Sequence, residues 1–206
     1  MIGLVLPTHT HDPLRLLQSI QESAESVCWY IFHHSTNEAV ERRIIEFSKT
    51  DNVNLYLYRK NRGLARSWNE GIHRAYQDGC ELTLVLNDDL HFIEGGFQAF
   101  VDHLRANPGF GLGFLKGIDR GGAFNGQAIV QGLACFAMGH QCLNEIGYFD
   151  ETFTPAYYED MDYLRRMRLA GCSQTVAEGV IGSVRGRGVN SRTALAGIGV
   201  AIGPCG

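Results

Sequence analysis

The chain has 206 residues, of which 45% are apolar and 19% are charged, and these proportions are typical of one globular domain. Its 18 Lys and Arg against 22 Asp and Glu give a formal charge of −4, without the basic excess that attracts nucleic acids. Its start has no basic leader, and its most apolar late stretch, 194–203, is about half as long as a membrane helix. Its six Cys form no C-x-x-C pair, which favours free thiols over a zinc ribbon or a redox centre. We therefore expect a cytoplasmic protein with no membrane span and no nucleic-acid partner.

Alternating apolar runs and amphipathic segments predict an α/β fold. Strands are predicted at 2–6, 27–32, 53–58, 82–86, 111–115, 129–138 and 176–184. Helices are predicted at 14–20, within 61–79, and at 38–49, 97–106 and 161–170. A mainly parallel sheet of this kind binds ligands at the carboxyl ends of its strands. Polar residues at those ends are therefore the candidate functional residues.

Two acids follow the most apolar predicted strand, 82–86, whose unbroken apolar character suits a central strand covered on both faces. Asp88 and Asp89 come directly after it, where their carboxylates would point into a crevice at the sheet edge. Carboxylate oxygens there could bind Mg²⁺ or Mn²⁺ between the protein and a phosphate group. The alternative is a solvated acidic turn, because Asp is common after strands for conformational reasons alone.

Three separated segments carry more specific patterns: GLVLPTHTHDPLRLLQSI, NRGLARSWNEGIHRAYQDGCELTLVLNDDL and GYFDETFTPAYYEDMDYLRRMRLAGC. The first joins a strand, a Pro-Thr turn and a helix, and the second joins an Asn-x-Gly helix to the strand that ends in two acids. The third contains Gly-x-Phe-Asp-Glu, a Glu-Asp step and an Arg-bearing helix. In this order and spacing the segments resemble the inverting family 2 glycosyltransferases of the GT-A fold, over about residues 1–184.

The resemblance implies a GT-A-like, Rossmann-type, mainly parallel sheet flanked by helices in a single compact domain. That domain is expected over residues 1–191, followed by a Gly-rich tail of uncertain structure at 192–206. By position, the resemblance also implies that Asp89 binds Mn²⁺ or Mg²⁺. It further implies a nucleotide-sugar site formed by Pro7, Thr8, His9, His33, Asn61, Gly63, Arg66, Asn87 and Asp88.

The resemblance places the catalytic base at Asp160, with Tyr158 and Glu159 on the acceptor side. A carboxylate is needed to take the proton of the acceptor hydroxyl as its oxygen attacks the anomeric carbon. Without the resemblance, Glu159 and Asp160 would be ordinary acids at a helix N-terminus, where negative charge is favourable.

The sequence departs from the family pattern at two places. After the second predicted strand, His33 and His34 stand where the family has an acid or amide, which leaves the choice of nucleobase open. The family's late metal-binding His is also missing, and Arg185 or Arg187 is expected in its place, as a charge for phosphate but not as a metal ligand. A rival interpretation is a zinc site, for which the candidate ligands are His9, His11, His33 and His34.

The expected function is metal-dependent, inverting transfer of a sugar by a hexosyltransferase-like enzyme. The donor would be a nucleoside-diphosphate sugar, with UDP as the expected nucleotide, and the acceptor a hydroxyl of a glycan, a lipid-linked sugar or a protein. The alternative is a catalytically weak module that binds nucleotide-sugar within a larger assembly. A sugar-nucleotide pyrophosphorylase is disfavoured, because the chain opens without a Gly-rich phosphate loop bearing Arg and Lys.

Overall fold

The structure of the protein is a computed structural model. An eight-stranded mixed sheet lies at its centre. The structure describes residues 1–9, 11–21, 23–58, 60–118, 128–130, 132–178 and 181–183. In chain order the elements are β1 (Ile2–Thr8), α1 (Leu14–Gln21), β2 (Val27–His33), α2 (Glu38–Phe47), β3 (Val53–Leu57), α3 (Leu64–Gln77), β4 (Leu82–Leu86), β5 (Leu90–Phe92), α4 (Gly96–Ala106), β6 (Leu112–Ile118), β7 (Ala128–Val130), β8 (Cys135–Met138), α5 (His140–Ile146), α6 (Glu159–Leu169), β9 (Gln174–Glu178) and β10 (Ile181–Ser183).

The sheet has the strand order β3-β2-β1-β4-β8-β6-β7, and β9 also pairs with β6. The first four strands are mutually parallel, and so are β6 and β9. The strands β7 and β8 are antiparallel to their neighbours, and β5 and β10 form a separate antiparallel ribbon. The prediction of an α/β fold with a mainly parallel sheet in a single domain is confirmed for the described residues.

Helices cover both faces of the sheet because the side chains of each buried strand alternate between two apolar layers. In β1, Leu4 and Leu6 pack into the layer with α1, α2 and α4, whereas Val5 packs into the layer with α3, α5 and α6. Each of these side chains is fully buried, which stabilises the fold by about 1.5–3 kcal/mol per residue. The two layers therefore fix the central strands, whose carboxyl ends carry the candidate site.

The first strand is longer than predicted, because it does not stop before Pro7 but continues through it to Thr8. The pairing of β1 with β4 ends at Val5, whereas its pairing with β2 extends to Thr8. A proline is tolerated where its missing N–H removes no ladder hydrogen bond, and the end of the β4 pairing provides such a position.

Two later predictions of single elements are wrong. The apolar segment 129–138 is not one strand but β7, a short 3₁₀ turn and β8, and the segment 176–184 contains the end of β9 and all of β10. The sequence does not predict the short elements β5 and α5. The strand β5 has three residues, and α5 has seven residues of which only Cys142 is buried, so neither shows a clear apolar periodicity. The predicted tail at 192–206 lies outside the described residues, as do Arg185 and Arg187.

None of the described helices has the length and apolarity that crossing a bilayer requires. The described cysteines are buried and unpaired.

The contact between α3 and β1 depends on Gly71, where an added Cβ would lie 2.3 Å from Cγ1 of Val5. We expect Gly71→Ala to lower the free energy of unfolding by about 1–3 kcal/mol through overpacking, although alanine favours a helix by about 1 kcal/mol. Urea unfolding followed by circular dichroism measures this change. Gln77→Ala, at an exposed position of the same helix, is the control and should change stability by less than about 0.5 kcal/mol. Equal stability of the Gly71 variant and the parent would contradict this packing.

Candidate functional site

A cavity of about 360 Å³ opens at the carboxyl ends of β1 and β4, where a parallel sheet is expected to bind its ligand. Its wall is formed by Pro7, Thr8, His9, His11, His34, Asn61, Gly63, Leu64, Asn87, Asp88, Asp89, Pro155, Ala156 and Tyr157. Most of the residues predicted for the donor side therefore line one cavity, together with the predicted metal ligand Asp89.

The two acids after β4 have different surroundings. Asp88 accepts the backbone N–H of His9 at 2.9 Å and lies 3.2 Å from Nδ1 of His11. Burial raises the pKa of the Asp88 carboxyl, and the hydrogen bond from the His9 N–H partly offsets that rise. Within the described part of the chain, no hydrogen bond or ion pair engages Asp89. Asp88 thus ties the end of β4 to the loop after β1, and Asp89 presents its carboxylate to the cavity.

The side chain of His34 forms a wall of the cavity and is 6% exposed. Its Nε2 lies 2.7 Å from Oγ of Ser67, and that hydroxyl donates to the carbonyl of Gly63 at 3.0 Å. Because the Ser67 hydroxyl donates its proton to Gly63, Nε2 of His34 is the donor to the Ser67 oxygen. Burial lowers the pKa of His34, and its ring stacks on Tyr58 with centroids 5.5 Å apart. His34 is therefore a neutral, fixed ring in the wall.

His33 lies behind the wall rather than in it. Its Nδ1 is 2.7 Å from Oγ1 of Thr8, a residue that lines the cavity, and burial lowers the pKa of the His33 ring. Among the described residues, no three His, Cys, Asp or Glu side chains are grouped so that they could hold a metal ion. The four histidines of the rival zinc site therefore do not form such a group in this structure.

The loop before α3 is docked against the segment before α6. The side chain of Asn61 accepts the N–H of Gly63 at 2.9 Å, and the N–H of Leu64 donates to the carbonyl of Pro155 at 2.9 Å. Gly63 has φ +94°, and an added Cβ would lie 3.1 Å from Oγ1 of Thr154. These two parts of the cavity wall are therefore joined by direct contacts.

The remaining predicted residues lie outside the cavity wall. Arg66 points along the outer side of α3, where its guanidinium is 3.8 Å from Glu151. Asp160, three residues after Tyr157, lies in the first turn of α6 and accepts the N–H of Met161 at 2.7 Å. Glu159 is 4% exposed, and burial raises the pKa of its carboxyl. Tyr158 is exposed on the same turn.

The sequence motifs assign none of four further wall residues to the site: Leu64, Pro155, Ala156 and Tyr157. Apolar side chains and backbone form these contacts, so no chemical motif marks them. One signal was present, since Pro155–Tyr157 directly precede the Glu-Asp step that the resemblance singled out.

Solved structures share this fold. A mannosyltransferase, PcManGT from Pyrobaculum calidifontis, in complex with GDP-Man and Mn²⁺, matches with a TM-score of 0.65 and 18% identity, over 91% of this chain and 58% of that chain. Staphylococcus aureus TarS in complex with UDP-GlcNAc matches with a TM-score of 0.67 and 15% identity, over 94% of this chain and 61% of that chain. The predicted GT-A-like fold is thereby confirmed.

Sequence comparison adds a local relationship. The chain is 35% identical over 74 residues to a galactofuranosyl glycosyltransferase of Leishmania donovani, which is 30% of this chain and 17% of that protein. No protein-family model matches. The chain thus spans a small part of this relative and about three-fifths of the two solved chains.

The two buried histidines predict how stability depends on pH. The pKa values of His33 and His34 are lower in the folded state than the ordinary value of 6.5, so the unfolded chain binds protons first as the pH falls. Stability is therefore fully present above pH 6.5 and should decline below it, by up to about 1.4 kcal/mol per pH unit for each proton. Urea unfolding between pH 5.5 and 7.5 measures the slope. His34→Gln should have a shallower slope, and an unchanged slope in that variant would contradict the assignment.

Proposed function

We propose that this domain transfers a sugar from a nucleoside-diphosphate sugar to a hydroxyl acceptor, with inversion and with a divalent cation. The observation that carries the proposal is the cavity at the carboxyl ends of β1 and β4, which is lined by seven of the nine predicted donor residues together with Asp89. The complexes of the two solved neighbours with GDP-Man and with UDP-GlcNAc support this class of donor.

The donor side of the proposal assigns the nucleotide to the space between the loop after β1 and the loop before α3. Pro7, Thr8 and His9 form one wall of that space, and Asn61 and Gly63 form the opposite wall. We propose UDP as the nucleotide, with the neutral ring of His34 beside the base. Both ring nitrogens of His34 lie within 3.5 Å of groups in the protein, so it would contact the base through its ring rather than by a new hydrogen bond.

The donor atoms available for a cation are oxygens. Asp89 and Asn87 line the cavity, and neither side chain has a hydrogen-bond partner in the described residues. Oxygen ligands fit Mn²⁺ and Mg²⁺, and the Mn²⁺ in the mannosyltransferase complex favours Mn²⁺ as the proposed cofactor. Two side chains leave most coordination positions to phosphate and water. When bound, the cation would supply positive charge to the leaving diphosphate.

The acceptor side of the proposal assigns the base to Asp160. Its carboxylate accepts only the Met161 N–H in the described structure, which leaves lone pairs to accept the proton of an acceptor hydroxyl. The segment that carries it lines the cavity at Tyr157, so the acceptor would approach over Tyr158 and Glu159. We further propose a reducing, cytoplasmic location, which the unpaired buried cysteines support.

A second candidate is a module that binds the donor without transferring its sugar. The position of Asp160 outside the cavity wall favours this candidate, and the free carboxylate of Asp160 opposes it.

For the transferase, the proposed acceptor is a hydroxyl of a glycan, a lipid-linked sugar or a protein.

Substitution of the proposed metal ligand tests the donor site. We expect Asp89→Asn to weaken UDP binding in the presence of Mn²⁺ by at least about tenfold, because a carboxylate ligand is replaced by a neutral amide. Calorimetric titration with UDP, with and without Mn²⁺, measures this. Asp102→Asn, on the surface of α4, removes the same charge elsewhere and should bind UDP as the parent does. Equal Mn²⁺-dependent affinity in the Asp89 variant and the parent would exclude this metal site.

Substitution of the proposed base tests the transfer step. We expect Asp160→Asn to lower kcat by about 10²–10⁴-fold with unchanged donor affinity, because general-base catalysis typically contributes that factor. Release of UDP from a UDP-sugar in the presence of acceptor measures the rate. Asp162→Asn, which removes another acid of the same helical turn, is the control for loss of charge. If the parent binds donor but releases no UDP with any acceptor, the binding-module function replaces the transferase.

A further inference from the structure

Two consecutive tyrosines, the first of which lines the cavity, have side chains without a partner in the described protein. Tyr157 is 74% exposed and lines the cavity, and the neighbouring Tyr158 is 71% exposed. Each of the other tyrosines has a hydrogen-bond or ring partner, such as Asp78 for Tyr30. Full exposure of two large aromatic rings forgoes the burial that would stabilise them. This pair therefore differs from all other tyrosines of the chain.

The backbone displays both rings in an unfavourable conformation. Tyr157 has φ +83° and Tyr158 has φ +73°, and among the described non-glycine residues only Asn52 shares a positive φ. Such a conformation costs about 1–2 kcal/mol per residue. The next residue, Glu159, is buried, and burial raises the pKa of its carboxyl. The chain thus has an unfavourable backbone conformation at two consecutive residues, whose side chains are exposed.

We propose that Tyr157 and Tyr158 form a stacking platform for the sugar ring of the acceptor, which makes the acceptor a carbohydrate. This inference rests on the proposed function and narrows its acceptor from any hydroxyl compound to a glycan. A sugar ring offers an apolar C–H face, which packs on aromatic rings, and hydroxyls at its edge, which a carboxylate accepts. Asp160 supplies that carboxylate two residues beyond Tyr158.

The charges around the platform disfavour a membrane surface as its occupant. The first turn of α6 carries Glu159, Asp160 and Asp162, so the local charge is negative. Anionic lipid headgroups attract basic segments and would be repelled by this turn. A neutral glycan carries no such penalty, and its ring fits beside the donor cavity that Tyr157 lines.

Saturation-transfer difference NMR on the purified chain tests the platform as a binding site. The probes are the methyl pyranosides of glucose, galactose, mannose and N-acetylglucosamine and methyl galactofuranoside, each with and without UDP and Mn²⁺. At least one glycoside should receive saturation at its ring C–H protons. Tyr157→Ala and Tyr158→Ala should each reduce this signal at least threefold, whereas Tyr157→Phe and Tyr158→Phe should keep it because they retain the ring. Leu169→Ala, at an exposed apolar position at the far end of α6, is the control and should match the parent.

The platform would be overturned by any of three NMR results. These are absence of saturation for every glycoside, unchanged saturation in both alanine variants, and equal losses of saturation in the phenylalanine and alanine variants. Sugar transfer to a serine peptide or a long-chain alcohol, and not to any glycoside, would also overturn it. Failure to bind UDP with Mn²⁺ would instead overturn the proposed donor site. The NMR measurements without UDP and Mn²⁺ test the platform independently of that site. In turnover assays, the alanine variants should raise the KM for the glycoside about three- to tenfold with little change in kcat.

Discussion

The parallel pairing of β1 with β4 is the constraint on which the site depends. Its register sets Val5 opposite Val85, so the residues that follow both strands emerge side by side at one edge of the sheet. The hydrogen bond from the His9 N–H to Asp88 then fixes the two loops to each other. Asp88 is held by this hydrogen bond, whereas its neighbour Asp89 has no such partner in the described residues, and both line the cavity. Of the two adjacent acids, one therefore positions the loops, and the other is the proposed metal ligand.

A second set of contacts joins the donor side to the segment that carries the proposed base. The Leu64 N–H donates to Pro155, and Gly63 packs against Thr154, so the loop before α3 and the segment before α6 share a boundary. A ligand between β1 and this loop would touch both. One residue of the proposed acceptor platform, Tyr157, therefore belongs to the wall of the cavity.

The sequence predicted the central strands well because their apolar runs are long and sharply bounded: 82–86 was predicted with the bounds that β4 has. Most of the residues that the resemblance implies for the donor site line one cavity, because strand ends in a parallel sheet converge. The sequence does not predict features that are very short or that depend on contacts between residues distant in the chain. The elements β5 and α5 are too short for periodicity, and the contact of Pro155 with Leu64 joins residues distant in the chain. The outward position of Arg66 follows from which face of α3 packs on the sheet, which one motif does not determine.

The central claim is that a divalent cation and a nucleotide bind together at the carboxyl end of β4. Paramagnetic broadening of amide signals by Mn²⁺ in a ¹H–¹⁵N correlation spectrum tests it most directly, because the effect falls off steeply with distance from the metal. The account predicts that substoichiometric Mn²⁺ with UDP broadens the amides of His9 and of Asn87–Asp89 first, and that Mn²⁺ alone broadens them less. Broadening centred on another surface, or the same broadening without UDP, would contradict it.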